Sequence, residues 1–85
     1  MSADIREVLR RHFTGKIGGD RSLLPGDDES LVDEGILDSF GLAELVALLE
    51  KDFGLKVPDA DIQLATFESI ARTEAYVTAR RGAAG

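Results

Sequence analysis

Most of the side-chain combinations that could do chemistry in these 85 residues can be set aside by type and spacing. Cysteine is absent, which excludes a disulfide, a thiolate zinc site and a cysteine nucleophile. His12 is the sole histidine. It falls on the polar side or boundary of an amphipathic segment, and its pairing with Ser39 as base and nucleophile would be an accident of folding. Gly15-Lys16-Ile17-Gly18-Gly19 lacks the G-x-x-x-x-G-K-[ST] order of a phosphate loop. Asp27-Asp28-Glu29 and Asp33-Glu34 offer carboxylates, but no glycine stands at the sixth position of a calcium loop and no acid closes the twelfth. They read as a solvated face. One constellation remains, Gly35-Ile36-Leu37-Asp38-Ser39-Phe40. It sets a serine hydroxyl at the start of a helix, after a glycine-containing loop. A helix start has unpaired N–H groups and the positive end of the dipole, and it favours an attached anion by about 0.3–1 kcal/mol at an exposed site. Ser39 is therefore placed to carry a phosphate ester. The alternative is purely structural, with Asp38 or Ser39 serving as the N-cap.

The elements that must position this serine follow from periodicity. Residues 3–13 place Ile5, Val8, Leu9 and Phe13 at helical spacing, with Arg6, Glu7, Arg10 and Arg11 on the other side. Ser2 is the expected N-cap and Gly15 the expected stop. Residues 14–37 have no sustained period and are rich in glycine, which predicts a long first loop. Its Ile17, Leu23, Leu24, Leu31, Val32, Ile36 and Leu37 can pin it to the helices, with a helical turn near Asp28–Leu31. Residues 39–53 form the strongest helix, ending at Gly54. At about 100° per residue, Leu42, Leu45, Val46, Leu49 and Phe53 make its core stripe. Phe40, Ala43 and Ala47 fall away from that stripe, among Glu44 and Lys51. A phenylalanine opposite the core is either covered by the loop or belongs to a docking patch with an acidic rim. Residues 59–64 suit one short turn around Ile62 and Leu64. Thr66 is the expected cap of a final helix with Phe67, Ile70, Ala71 and Val77 on one face, interrupted by Glu74. Arg80 and Arg81 suit its dipole end.

These elements predict an all-α fold, a small antiparallel four-helix bundle of three main helices and one short one. A single domain fills residues 1–85, with an ordered core over about 3–79 and a frayed tail over 80–85. At 9.1 kDa there is no room for an enclosed enzyme cleft. The net charge is −6, unevenly placed. Residues 26–68 carry twelve acids against two bases, whereas residues 1–25 carry five bases against three acids. A strongly negative middle opposes nucleic acid and anionic membranes and favours basic protein partners. No apolar run approaches a membrane span and no signal-peptide core opens the chain, so a cytoplasmic monomer is expected.

The segment Ser30-Leu31-Val32-Asp33-Glu34-Gly35-Ile36-Leu37-Asp38-Ser39-Phe40 resembles the attachment segment of acyl and peptidyl carrier proteins of the free-standing type. The mark of that family is an Asp-Ser pair preceded by a glycine and followed by Leu, Met or Phe. The likeness continues through Glu44-Leu45, Leu49-Glu50, Phe53-Gly54, Val57-Pro58 and Thr66-Phe67-Glu68-Ser69-Ile70-Ala71, and covers most of residues 5–77. A bare Asp-Ser-Phe triplet carries no weight. Its specificity comes from its place at the helix start, with the downstream pattern in register.

The resemblance implies that Ser39, beside Asp38, is esterified by 4′-phosphopantetheine, taken from coenzyme A by a phosphopantetheinyl transferase. The arm's thiol would hold acyl or aminoacyl groups as thioesters, which suits a chain with no thiol of its own. The chain would be a carrier and not an enzyme. By position, Asp38, Phe40, Ala43, Glu44, Ala47 and Glu50 would form the surface shown to partners. Those partners would be a loading enzyme (an acyltransferase or adenylating ligase) and a ketosynthase or condensing enzyme. Polyketide or nonribosomal peptide assembly is the expected setting, and an aminoacyl or D-alanyl-type carrier is the alternative. Some positions depart from the pattern. The loop 16–28 is long, Gly41, Ala43 and Ala47 are small, Lys51 adds a cation, and Thr73 and Glu74 stand where the last helix is usually apolar. A rival of another class is an acidic helical interaction module in which Ser39 is only a helix cap.

Overall fold

Ile5, Leu9 and Phe13 recur every fourth residue, and that spacing closes one stripe of helix α1 (Ser2–Lys16) onto the core. The computed structural model describes the backbone of residues 2–84 and the side chains of residues 5–81. Val8, read as part of the same stripe, is only half-buried. The helix also runs past its expected stop. Gly15 is helical, and the chain turns instead at Gly18 and Gly19, both at φ +92. The Gly19 N–H donates to the Thr14 carbonyl at 2.9 Å, the six-to-one bond that closes a Schellman turn. A lone helical glycine costs less than about 1 kcal/mol, so Gly15 weakens the helix without ending it. The N-cap assigned to Ser2 lies outside the described side chains.

The long loop is ordered by what it buries. Leu31 and Leu37 are fully inside, and Leu24, Val32 and Ile36 pack against the core. Leu23 does not join them; it is exposed at the end of an unforeseen 3-10 turn, Arg21–Leu23, capped by Asp20. The helical turn expected near Asp28–Leu31 is replaced by two separate turns, an i→i+3 turn before it and a single α-type turn after it. Glu29 N–H closes onto the Gly26 carbonyl at 3.0 Å, and Glu34 N–H onto that of Ser30 at 3.2 Å. The loop is also bonded to the far end of the chain, through Leu31 N–H to the Glu68 carbonyl and Ala71 N–H to the Asp27 carbonyl.

Helix α2 (Ser39–Phe53) buries Leu42, Leu45, Val46 and Leu49 of its predicted stripe, leaves Phe53 half-buried against the core, and ends at Gly54 with φ +65. The expected short fourth helix is realised as two 3-10 turns, Asp59–Asp61 and Leu64–Phe67. The second delivers Phe67 into the core and takes in Thr66, which is therefore not a cap. Helix α3 (Ile70–Ala84) is capped by Ser69, whose Oγ accepts the Arg72 N–H at 3.1 Å. Its Ile70 and Val77 are buried. Thr73 is fully buried too, with its hydroxyl donating to the Ser69 carbonyl at 2.9 Å. Glu74 is matched as well, accepting from the Arg6 Nε at 2.8 Å. Both residues that seemed misplaced on this helix thus have partners. Arg80 is helical and donates to the Lys56 carbonyl at 3.0 Å, and the rest of the tail lies largely outside the described side chains. The fold is all-α, with no strand among the described residues, and α3 touches both α1 and α2.

Candidate functional site

The approach to the α2 N-terminus is set by Gly35, which sits at φ +75, a conformation that L side chains adopt only with strain. That turn lets Ile36 N–H and Leu37 N–H both donate to the Leu31 carbonyl, at 2.9 and 3.1 Å. With Leu31 and Leu37 buried, the chain reaches Asp38 along a fixed path. Asp38 is extended, and its Oδ1 accepts the Gly41 N–H at 2.8 Å while its carbonyl accepts the Leu42 N–H. Asp38 is therefore the N-cap and Ser39 the first helical residue. Gly41 fits closely beneath the cap; a Cβ there would lie 3.4 Å from Asp38 Oδ1.

Ser39 is exposed, and its hydroxyl makes no hydrogen bond to another group among the described residues. The N–H groups of Ser39 and Phe40, at the first turn, have no intrahelical acceptor. A phosphate ester fits this place: the oxygen is reachable, the nearest backbone dipoles point positive, and the capping duty is met by a neighbour.

Around Ser39 the exposed side chains form a coherent surface. Phe40 is 85% exposed, and Ala43, Glu44 and Ala47 are exposed on the same helix. Glu50 departs from its expected role. It is half-buried, and its Oε2 accepts the Val57 N–H at 2.9 Å, so it holds the segment after α2 and does not extend the exposed face. An open groove of about 360 Å³ lies beside the serine, lined by Ile17, Ile36, Asp38, Phe40 and the ion pair between the Lys16 ammonium and the Glu44 carboxylate. By sequence Lys16 falls in the long first loop, with no sign of a place at this groove. It joins the last turn of α1 only because that helix runs past Gly15, and nothing local ties the turn to α2.

A family model described as the phosphopantetheine attachment site matches residues 7–73. The chain belongs to that family. Its prosthetic group is covalently attached 4′-phosphopantetheine, which makes the phosphopantetheine attachment domain a carrier and not a catalyst. Carriers of this family meet a phosphopantetheinyl transferase and acyl-loading enzymes. The chain is also similar to proteins named D-alanyl carrier protein from Streptococcus pyogenes serotype M5 (strain Manfredo), serotype M49 (strain NZ131) and serotype M1. In each case 55% of 31 residues are identical, over 36% of this chain and 39% of the relative. The match thus spans about two fifths of the length of these relatives. Among the described residues, no helix is long and apolar enough to cross a membrane, and no group of three or more His, Cys, Asp or Glu could hold a metal.

Proposed function

We propose that Ser39 is the attachment residue and that the protein works as a discrete carrier of acyl or aminoacyl groups. The observation that carries this reading is the division of roles at the α2 start. Asp38 takes the cap, which leaves the Ser39 hydroxyl exposed and unengaged at the dipole's positive end. The same observation weakens the rival in which Ser39 is a structural cap. In the loading step the Ser39 oxygen forms a bond to the phosphorus nearest the pantetheine of coenzyme A. The pyrophosphate bond breaks, 3′,5′-adenosine bisphosphate leaves, and the hydroxyl proton passes to a base on the transferase. Once attached, the arm supplies the thiol that the chain lacks and holds cargo as a thioester. Tethering then raises the cargo's effective concentration at successive active sites.

Phe40, Ala43, Glu44 and Ala47 form the docking face of this reading, an apolar strip beside a carboxylate, suited to partners with arginine or lysine opposite Glu44. The partners are the transferase, a loading acyltransferase or adenylating ligase, and a ketosynthase or condensing enzyme. Specialised-metabolite assembly of the polyketide or nonribosomal peptide kind is the setting we favour, on the form of the Ile36–Phe40 segment. The names of the relatives favour a second reading, an aminoacyl carrier of the D-alanyl type.

The test is intact-mass spectrometry after incubation with a broad-specificity phosphopantetheinyl transferase and coenzyme A. The wild type gains one arm and Ser39→Ala gains none. An unmodified wild type, or a modified Ser39→Ala, overturns the assignment. The mass of the protein purified from its own host then reads the cargo and separates the two settings.

A further inference from the structure

Glu44 is the carboxylate of the docking face that lies beyond the Asp38 cap, and within the chain it is already paired. The Lys16 ammonium reaches it from the last turn of α1, across the groove beside Ser39. Both ends of this pair are partly open to solvent, the Lys16 side chain at 34% and that of Glu44 at 52%. A basic side chain from a partner would need the same carboxylate, approached from the same open side. We infer that Lys16 is an intramolecular competitor for Glu44 and screens the docking face until a partner displaces it. The inference rests on the docking role of the α2 face proposed above.

The pair joins two elements through solvent-exposed atoms, so its strength suits a competitor. Exposed ion pairs are worth little, and the corresponding change in an equilibrium is roughly one and a half to fivefold. Such a contact can be displaced by an arginine that brings more surface with it, yet it lowers the affinity of partners that offer only charge. Lys16 therefore acts as a filter for partner identity. A partner that also covers Phe40, as expected of a true docking surface, overcomes it. A basic protein that meets Glu44 alone does not.

The test is a double-mutant cycle read by binding. The apo protein is titrated with the phosphopantetheinyl transferase by calorimetry, in the absence of coenzyme A, for wild type, Lys16→Ala, Glu44→Gln and the double variant. Lys16→Ala tightens the Kd by roughly two- to fivefold in the wild-type background and leaves it unchanged in the Glu44→Gln background. An equal gain in both backgrounds shows general charge repulsion and overturns the inference, as does no gain in either. Thermal unfolding of each variant accompanies the titration, so a folding defect is separated from a binding effect. Intact-mass loading is run in parallel. If the wild type accepts the arm while Lys16→Ala has no effect on binding, only the competitor idea fails. If the wild type accepts no arm, the carrier assignment at Ser39 fails first.

Discussion

At Ser39 and its two neighbours, three adjacent side chains have three separate fates. Asp38 turns back to the Gly41 N–H, Ser39 stands free at the first helical position, and Phe40 points outward at 85% exposure. Serine and aspartate are both common caps, so the local sequence leaves open which of the two closes the helix. The buried Leu37 decides it, because the side chain before the helix must point inward and the next residue then meets the first turn. An apolar ring this exposed contributes little to folding, but truncating an interface aromatic of this kind costs roughly five- to thirtyfold in affinity. Phe40→Ala is therefore expected to weaken transferase binding by that amount in titration. Its thermal midpoint should stay near wild type, as for other surface substitutions.

Among the elements, the loop between α1 and α2 depends most on distant partners. Asp27 is its polar anchor. It accepts from Arg6 at 2.6 Å and from Arg10 at 2.5 Å, and Arg6 also reaches Glu74 on α3. The Arg10 guanidinium, with Arg6 adding to it, holds the Asp27 carboxyl below its usual range. Its stabilisation is therefore complete above the ordinary carboxylate value and is lost as the pH falls through the lowered one. Solvent screens the two arginines, so Asp27→Asn is expected to cost about 1 kcal/mol, which for a domain of this size lowers the thermal midpoint by about 4–8 °C. Scanning calorimetry near neutral pH measures it, and a midpoint within a degree of wild type would contradict the anchoring role. A similar long-range contact fixes the turn at Asp59–Asp61. The Tyr76 hydroxyl donates to Asp61 at 2.7 Å, and burial together with that bond pushes its pKa up to about 12. None of these pairs is visible in a window of ten residues, so the apolar anchors of the loop are legible in the sequence and its polar ones are not.

Over the whole molecule, the basic N-terminal third is folded onto the acidic middle. Arg6 and Arg10 meet Asp27 and Lys16 meets Glu44, while Arg21 pairs with Glu7 inside the N-terminal third itself. His12 lies at the seam between α1 and α2, beside Leu48 and Asp52 of α2 and Arg11 of its own helix. Its Nε2 is buried without a hydrogen-bond partner, and burial, with Lys16 nearby, lowers its pKa below 6.5. The unfolded chain thus binds the proton more tightly than the folded one. Stability is full above the unfolded value and declines as the pH falls through it toward the folded value. Urea midpoints measured from pH 8 to pH 5 should fall across that window for the wild type. His12→Gln should remove the step that belongs to histidine and leave the carboxylate-driven loss at lower pH. A wild-type midpoint that is flat from pH 7 to pH 5 would contradict this.

The amino-acid sequence by itself determined the all-α class, the core stripe of α2 and the Asp-Ser motif at its start. Periodicity, caps and a short motif are local properties, set by backbone geometry and by which face must leave water. Only the tertiary structure decided that Asp38 and not Ser39 is the cap, that Ser69 and not Thr66 opens α3, that Glu50 turns inward, and that Lys16 covers Glu44. The Lys16–Glu44 pair joins groups 28 residues apart, and the cap choices, local in their bonds, follow from which neighbours the core shared by Leu37 and Phe67 takes in. A polar side chain takes whichever partner the packed core leaves within its reach, and that choice is made after the chain has closed.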